Sequence, residues 1–191
     1  ALLAHASART RRRLAWFALD LARARAQAGA SCCGLRDGRL ILDAGGSEYD
    51  LGAVAAMPLS FGGAARYNIA NLAAAALAAH ALGVAPSTLR ELFARFGAAR
   101  EDNPGRLQHW AVGGIEVFVD YAHNPDGLRG LLEVARSLHP QGRLALVLGQ
   151  AGNREDADIR ELAAVAARNC PDFVVLKELA SYARGRALGE V

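Results

Sequence analysis

Two periodicities alternate along this chain. Short runs of β-branched and aromatic residues are separated by stretches in which apolar positions recur every three to four residues. Leu14 to Leu19 predicts a short buried strand, and Asp20 to Ala28 a helix capped by Asp20 and ended by Gly29. Cys32–Leu35, Arg39–Leu42 and Tyr49–Leu51, set around Asp37-Gly38 and Gly45-Gly46, predict a small antiparallel meander. After Gly62-Gly63 the spacing predicts a long helix from about Asn68 to Leu82, ended by Gly83. Its apolar side is so wide that burial on most faces is expected. Pro86-Ser87-Thr88 opens a further helix through Phe96, with Leu89, Leu92, Phe93 and Phe96 on one stripe.

Gly97 to Asn103 is polar and turn-rich, and divides the chain into 1–102 and 103–191. Beyond it, 106–112 and 115–120 flank Gly113-Gly114 as a hairpin. A helix from Asn124, a strand at Leu144–Leu148, a helix from Asp156 to Asn169 and a strand at Phe173–Leu176 follow. Strands alternating with helices imply an α/β protein with a parallel sheet.

The densest chemistry lies at Asp120-Tyr121-Ala122-His123-Asn124-Pro125-Asp126. It joins the apolar run Ile115–Val119 to a helix with Leu128, Leu131, Leu132, Ala135 and Leu138 at helical spacing. Asn124 stands at the N-cap, Pro125 at the first helical position and Asp126 in the first turn. Capping accounts for Asn124 and Asp126. Asp120, Tyr121 and His123 have no such need, and polar side chains at a strand end beside a helix N-terminus make a natural ligand site.

The bulk properties exclude several classes. With 52% hydrophobic and 21% charged residues, the composition is that of an ordinary globular protein. Net charge is +3, and apart from Lys177 every basic residue other than histidine is arginine. Only Arg11-Arg12-Arg13 cluster, with no interleaved aromatics to stack on bases, so a nucleic-acid partner is not expected. Three cysteines without ligand spacing argue against a metal site and for a reducing compartment. No apolar run reaches 18 residues, and Asp20 and Arg23 cut short the stretch at Leu14–Leu19, so neither a membrane span nor a signal peptide is expected. The expected location is the cytoplasm. Beginning at Ala1 and ending at Val191 without a terminating feature, the sequence reads as a piece of a longer protein.

Asn103-Pro104-Gly105-Arg106, followed fourteen residues after its arginine by Asp120-Tyr121-Ala122-His123-Asn124-Pro125, resembles the start of the C-terminal domain of the Mur ligase superfamily. The resemblance runs over nearly the whole chain. It implies a Rossmann-like parallel-sheet domain with an edge hairpin at 103–191, truncated at its end. Before it stands the C-terminal part of a P-loop-type α/β central domain at 1–102. Members of the superfamily make amide bonds at the expense of ATP, so ATP, Mg2+, an amino acid and a carboxylate acceptor are the implied ligands. By resemblance, Arg106 and Asp120 serve the nucleotide rather than the fold, Tyr121 lines the adenine pocket, and His123 and Asn124 face the phosphates or the incoming amine. Tyr67-Asn68-Ile69-Ala70-Asn71-Leu72 resembles the family's asparagine-bearing helix. There Asn68 reads as a cap and Asn71 as the adenine contact, because an amide both donates and accepts at a base edge.

Gly149-Gln150-Ala151-Gly152-Asn153-Arg154 is either a plain turn or a second ligand loop, with Arg154 as its candidate; relatives tend to carry an aspartate where Asn153 stands. Lys177-Glu178, Arg184-Gly185-Arg186 and Gly189-Glu190 read on composition as a charged surface loop. Their series resembles that of the cyanophycin synthetase branch, which adds arginine to a poly-aspartate backbone, although Leu179 stands where an acid is common. By that resemblance Arg184 and Arg186 meet carboxylates, and Glu178 and Glu190 a guanidinium. Ligases of a UDP-muropeptide or a folate, and a non-catalytic domain of the same fold, are the alternatives. Self-association is left open.

The family's Gly-x-x-Gly-Lys-Thr/Ser phosphate loop does not occur in these residues, so most Mg2+ ligands are expected outside them. The 191-residue chain by itself is accordingly expected to be catalytically silent. Steady ATP hydrolysis by the purified chain, above that of an Asp120→Ala control, would contradict this.

Overall fold

The computed structural model describes residues 14–27 and 31–190, which fall into two units, one ending at Asp102 and one starting at Asn103. The boundary lies in the polar segment that marks it in the sequence. Arg11–Arg13 and the predicted helix end at Ala28-Gly29 lie outside the described residues.

In the first unit, β1 (Ala15–Ala18), β2 (Ser31–Arg36), β3 (Arg39–Ala44) and β4 (Ser47–Ala53) form one sheet in chain order. β1 runs parallel to β2, and the other two pairs are antiparallel. The short helix α1 (Leu21–Arg25) makes the crossover, with the Asp20 carboxylate capping the Ala22 N–H at 2.8 Å. Gly34 is where this crossover is tightest. A Cβ there would stand 2.8 Å from the Ala18 carbonyl oxygen and 2.8 Å from the Leu21 Cα, backbone atoms that have nowhere to go.

Alternation along β2 and β3 sends side chains to both faces. Cys33, Leu40 and Leu42 join Leu51, Met57, Ile69, Leu72 and Phe93 in the main core, while Cys32 and Ile41 pack on the other face with Leu21 and Ala24. Burial pushes the Cys33 thiol up to about 12, so it behaves as a small apolar group.

Helix α2 (Arg66–Ala81) covers the main core together with α3 (Pro86–Phe93). Both differ from expectation. α2 starts two residues early with no side-chain cap, because Asn68 is buried and its Nδ2 donates to the Leu59 carbonyl at 2.9 Å. The preceding turns are held by Ser60, whose hydroxyl donates to the Val54 carbonyl at 2.5 Å and accepts from the Gly63 N–H at 3.0 Å. Most faces of α2 are buried or half-buried, as expected, with Asn71, Ala75 and Ala78 exposed along one stripe. Alanine carries little apolar area, so it reads as core in a pattern yet costs little at a surface. α3 stops at Phe93 rather than Phe96 and continues as turns.

In the second unit, β5 (Gln108–Val112) and β6 (Ile115–Val119) form an antiparallel hairpin closed by Gly113-Gly114. Both glycines have positive φ, 56° and 80°, as a two-residue turn between twisted strands requires. β7 (Ala145–Leu148) and β8 (Phe173–Leu176) form a separate parallel pair joined through α5 (Asp156–Arg168). α5 packs with α4 (Pro125–Leu138) around Leu128, Leu132, Leu146, Leu162, Val165 and Ala166. The parallel sheet expected from 115–120, 144–148 and 173–176 is thus present as β7–β8 only. β6 pairs with β5 alone, and its alternating half-exposed pattern suits a hairpin with one open face.

Charge is concentrated on the meander. Arg36 holds Glu48 in a two-pronged pair at 3.0 and 2.6 Å, and Arg25 reaches both Glu48 and Asp43. Arg36 first, and then Arg25, depress the Glu48 carboxyl to about 2. A lowered folded value means that the contribution is complete above the ordinary value near 4.5 and fades as pH falls towards about 2. Glu48→Gln should therefore lower the melting temperature slightly at pH 7, the pair being exposed. The gap to the unsubstituted protein should close between pH 5 and pH 2. A gap of constant size across that range would assign the effect to packing instead.

Candidate functional site

The site grows out of the turn between β6 and α4. Asn124 caps α4, its Oδ1 accepting from the Gly127 N–H at 2.8 Å, and Pro125 takes the first helical position as expected. With Oδ1 committed, the amide nitrogen of Asn124 is the part left to face outward. On the other side of the turn the Asp120 carboxylate accepts from the Leu107 N–H at 2.7 Å. Leu107 is buried and has a φ of 47°, a left-handed conformation that costs a branched residue on the order of 1–2 kcal/mol. The charge-assisted bond from Asp120 offsets that strain. Asp120 therefore has a part in the fold as well as a place in the site.

The same tie brings Arg106 to the turn. The Tyr121 N–H donates to the Gly105 carbonyl at 2.8 Å, and the Arg106 guanidinium lies 5.2 Å from the centre of the Tyr121 ring. Tyr121 is 60% exposed, far more than an aromatic ring needs for stability, and is open to stacking. The His123 ring is tilted against it at 5.1 Å. His123 Nδ1 lies 3.1 Å from the Tyr121 carbonyl oxygen, so the proton belongs on Nδ1 and the neutral ring presents Nε2 as an acceptor. Arg106, Asp120, Tyr121, His123 and Asn124 are thus brought together. They combine a cation, an open aromatic face, a proton acceptor and a helix N-terminus, a set that suits a phosphorylated aromatic ligand.

A partner that the sequence did not single out supports this cluster. Gln150 Nε2 donates to the His123 carbonyl at 2.8 Å, while its Oε1 accepts from the Ala151 N–H at 3.0 Å. Both ends of the amide are fixed. The glycines around it have steric causes: a Cβ at Gly149 would lie 2.4 Å from the Lys177 carbonyl oxygen, and one at Gly152 1.9 Å from that of Ala183. The plain-turn reading of these glycines is therefore sufficient, and the chemistry of the loop rests on Gln150 and Arg154.

The residues of the 177–190 loop divide. Arg186 donates through Nε to the Gly152 carbonyl at 2.7 Å and through Nη2 to the Arg154 carbonyl at 2.9 Å, and pairs through Nη1 with Asp156 at 2.7 Å. That pairing holds the Asp156 carboxyl below its usual range. Glu190 accepts from the Ala187 N–H at 2.9 Å, and Glu178 from the Gly189 N–H at 2.5 Å; the second oxygen of Glu178 is buried with no partner among the described residues. Arg184 lies over the Tyr182 ring at 5.6 Å, and the Arg154 side chain is exposed. Arg154 and Arg184, with Lys177, are cations that this region presents outward among the described residues. Asn71 is exposed on α2 of the first unit. Among the described residues no three His, Cys, Asp or Glu side chains gather as a metal site, and no helix is long and apolar enough to cross a membrane.

Residues 105–190 match the Mur ligase, glutamate ligase domain. Cyanophycin synthetase of Synechocystis sp. is 37% identical over 134 residues, covering 70% of this chain and 15% of that protein. Cyanophycin synthetase of Nostoc sp. is 30% identical over 185 residues, 95% of this chain and 20% of that protein. The UDP-N-acetylmuramoyl-L-alanyl-D-glutamate–2,6-diaminopimelate ligase of Xanthomonas campestris pv. campestris is 38% identical over 145 residues, 74% of this chain and 28% of that protein. The chain thus spans well under a third of the length of these relatives. A solved structure of a UDP-N-acetylmuramoyl-L-alanyl-D-glutamate–2,6-diaminopimelate ligase aligns with 78% of this chain and 29% of its own, at 23% identity and a TM-score of 0.40.

The geometry predicts how the turn responds to truncation. Asn124→Ala should cost about 1 kcal/mol of unfolding free energy through the lost cap, and Asn124→Gly only a few tenths. Asp120→Ala should cost more than Asn124→Ala, since it also leaves Leu107 strained and its N–H without an acceptor. Urea titrations of the three variants check the order, and an Asp120→Ala variant as stable as the parent would refute the assignment.

Proposed function

Because this chain belongs to the Mur ligase family, we propose that the cluster from Arg106 to Asn124 serves an ATP-dependent ligation joining a carboxylate to an amino-acid amine. The single observation that carries the reading is the convergence of Arg106, the open Tyr121 ring and His123 at the N-terminus of α4, inside the residues that match the family. An exposed ring with a guanidinium over it suits a purine base next to its phosphates. The first-turn N–H groups of α4 add positive potential on the same side.

When bound, ATP supplies the phosphoryl group that activates the carboxylate. The chain's own residues then act as follows. Arg106 neutralises phosphate charge, and Asp120 keeps the Arg106 segment in place through the Leu107 N–H. Tyr121 holds the base. His123 Nε2 accepts the proton released as the amine nitrogen bonds to the activated carbonyl carbon and the phosphate that carbon carried departs, and the Asn124 amide nitrogen donates to the oxygen that gains charge. Mg2+ ligands are proposed to lie mostly outside these residues, as the missing Gly-x-x-Gly-Lys-Thr/Ser string suggests.

For the substrate, we favour arginine added to a side-chain carboxylate of a poly-aspartate chain, as the similarity to cyanophycin synthetase over 95% of this chain suggests. Arg184 and Arg154 are offered for the arginine carboxylate, and Glu178 for its guanidinium. The proposed compartment is the cytoplasm, where ATP is abundant.

Two measurements test this reading. In the complete ligase that contains this chain, Arg106→Ala and Tyr121→Ala should each raise the KM for ATP roughly tenfold, the equivalent of about 1.4 kcal/mol, without lowering the melting temperature. An unchanged KM with a lowered melting temperature would assign both residues to the fold. Separately, the complete ligase is offered ATP and arginine with an aspartate–arginine primer, or ATP and diaminopimelate with a UDP-muropeptide. Incorporation into the muropeptide alone would reject the poly-aspartate substrate and leave the ligase reading standing.

A further inference from the structure

The sequence pairs Arg184 and Arg186 as equivalent cations, but the structure separates them. Arg186 is turned inward, its side chain 24% exposed, and each of its three nitrogens has an internal partner on the segment 152–156. The contact is mutual, since the Gly152 N–H donates back to the Tyr182 carbonyl at 2.9 Å, and Gly152 leaves no room for a side chain against Ala183. Two residues before the fastened segment, in the same loop, stands Gln150, which holds the His123 carbonyl. His123 is in turn bonded to the Tyr121 carbonyl and lies against the Tyr121 ring. An unbroken series of hydrogen bonds and backbone contacts therefore runs from Arg186 through the 149–156 loop to the His123 turn, all within one unit.

We propose that Arg186 and Gln150 are positioning residues: together they fix the His123–Tyr121 turn in its ligand-binding form, and neither contacts substrate. The proposal rests on the reading of that turn as the nucleotide site, and adds that the 177–190 loop acts on it from behind. The geometry needs arginine in particular. A planar fork with three nitrogens bridges two carbonyls and a carboxylate at once, whereas a lysine ammonium at that place satisfies Asp156 and leaves at least one carbonyl unmet.

The test compares Arg186→Leu, Arg186→Lys, Gln150→Ala and the double variant Gln150→Ala/Arg186→Leu, with Arg160→Gln as the control. Arg160 is the other cation near Asp156, at 3.6 Å, and touches neither loop carbonyl. Two readouts are taken in the protein: the 1H–13C resonances of the His123 ring, and the dissociation constant for ATP. Arg186→Leu and Gln150→Ala should both displace the His123 resonances and weaken ATP binding about three- to tenfold. Arg186→Lys should fail to restore either, and Arg160→Gln should change neither. The double variant should be no worse than the poorer single one, because both act along one series of contacts.

Full rescue by Arg186→Lys, or additive losses in the double variant, would overturn the proposal. So would unmoved His123 resonances in Gln150→Ala, the variant that leaves the Arg186 contacts intact and carries the test if Arg186→Leu does not fold. If the His123 resonances move as expected but the unsubstituted protein binds no ATP, the positioning series stands and the nucleotide reading fails. If ATP binds normally in every variant, the nucleotide reading stands and the positioning role falls.

Discussion

The turn at the end of β6 is held from both sides, and the rest of the second unit depends on that. On one side Asp120 takes the Leu107 N–H and stabilises a left-handed leucine that no local preference would supply. On the other, Gln150 takes the His123 carbonyl. Between them Asn124 starts α4, whose Leu128 and Leu132 reach the core shared with α5. The side chains that look like chemistry are thus set by hydrogen bonds that also begin a helix and anchor a hairpin. Ordering several groups in a turn is costly in conformational entropy, and a site assembled from a cap, a tie and a strand end shares that cost with the fold.

Arginine as a fastener is a recurrent device in this unit. Arg136 donates to the carbonyls of Gly142, Asn169 and Cys170, as Arg186 does to those of Gly152 and Arg154. Segments without regular structure leave carbonyls that a sheet or helix would have satisfied, and a guanidinium with five N–H groups meets several of them from one side chain. Lysine has neither the number nor the geometry. A chain with a single lysine among its basic residues can therefore spend some of its arginines on its own backbone.

The first unit solves a different problem. Its meander is short, and its sheet buries apolar side chains on both faces through one strand pair, β2–β3. Cys33 and Cys32 point to opposite faces as neighbours in a strand must. The exposed side of the sheet edge is covered with paired charges, Arg36 and Arg25 on Glu48 and Arg39 on Asp50. Each pair is weak at a solvated surface, and together they give the edge a polar rim.

Much of this was legible in the residues. The Asp-Tyr-Ala-His-Asn-Pro string announced a strand, a capped turn and a helix, because caps, prolines and periodicity are local, and local chemistry survives in a sequence. The meander, the Gly113-Gly114 hairpin and the break at 97–103 belong to the same kind, whereas Arg106 was joined to Tyr121 and His123 through the family resemblance alone. Only tertiary structure decided the rest. Asn68 left the cap for the Leu59 carbonyl, an acceptor nine residues away that no periodicity marks. β6 paired with β5 and not with β7, since apolar content says that a strand exists but not which neighbour it takes. Arg184 and Arg186, two positions apart and alike in sequence, parted into an outward cation and an internal clamp. What separates them is which carbonyls the fold brings within reach, and that distance is set by packing rather than by the order of residues.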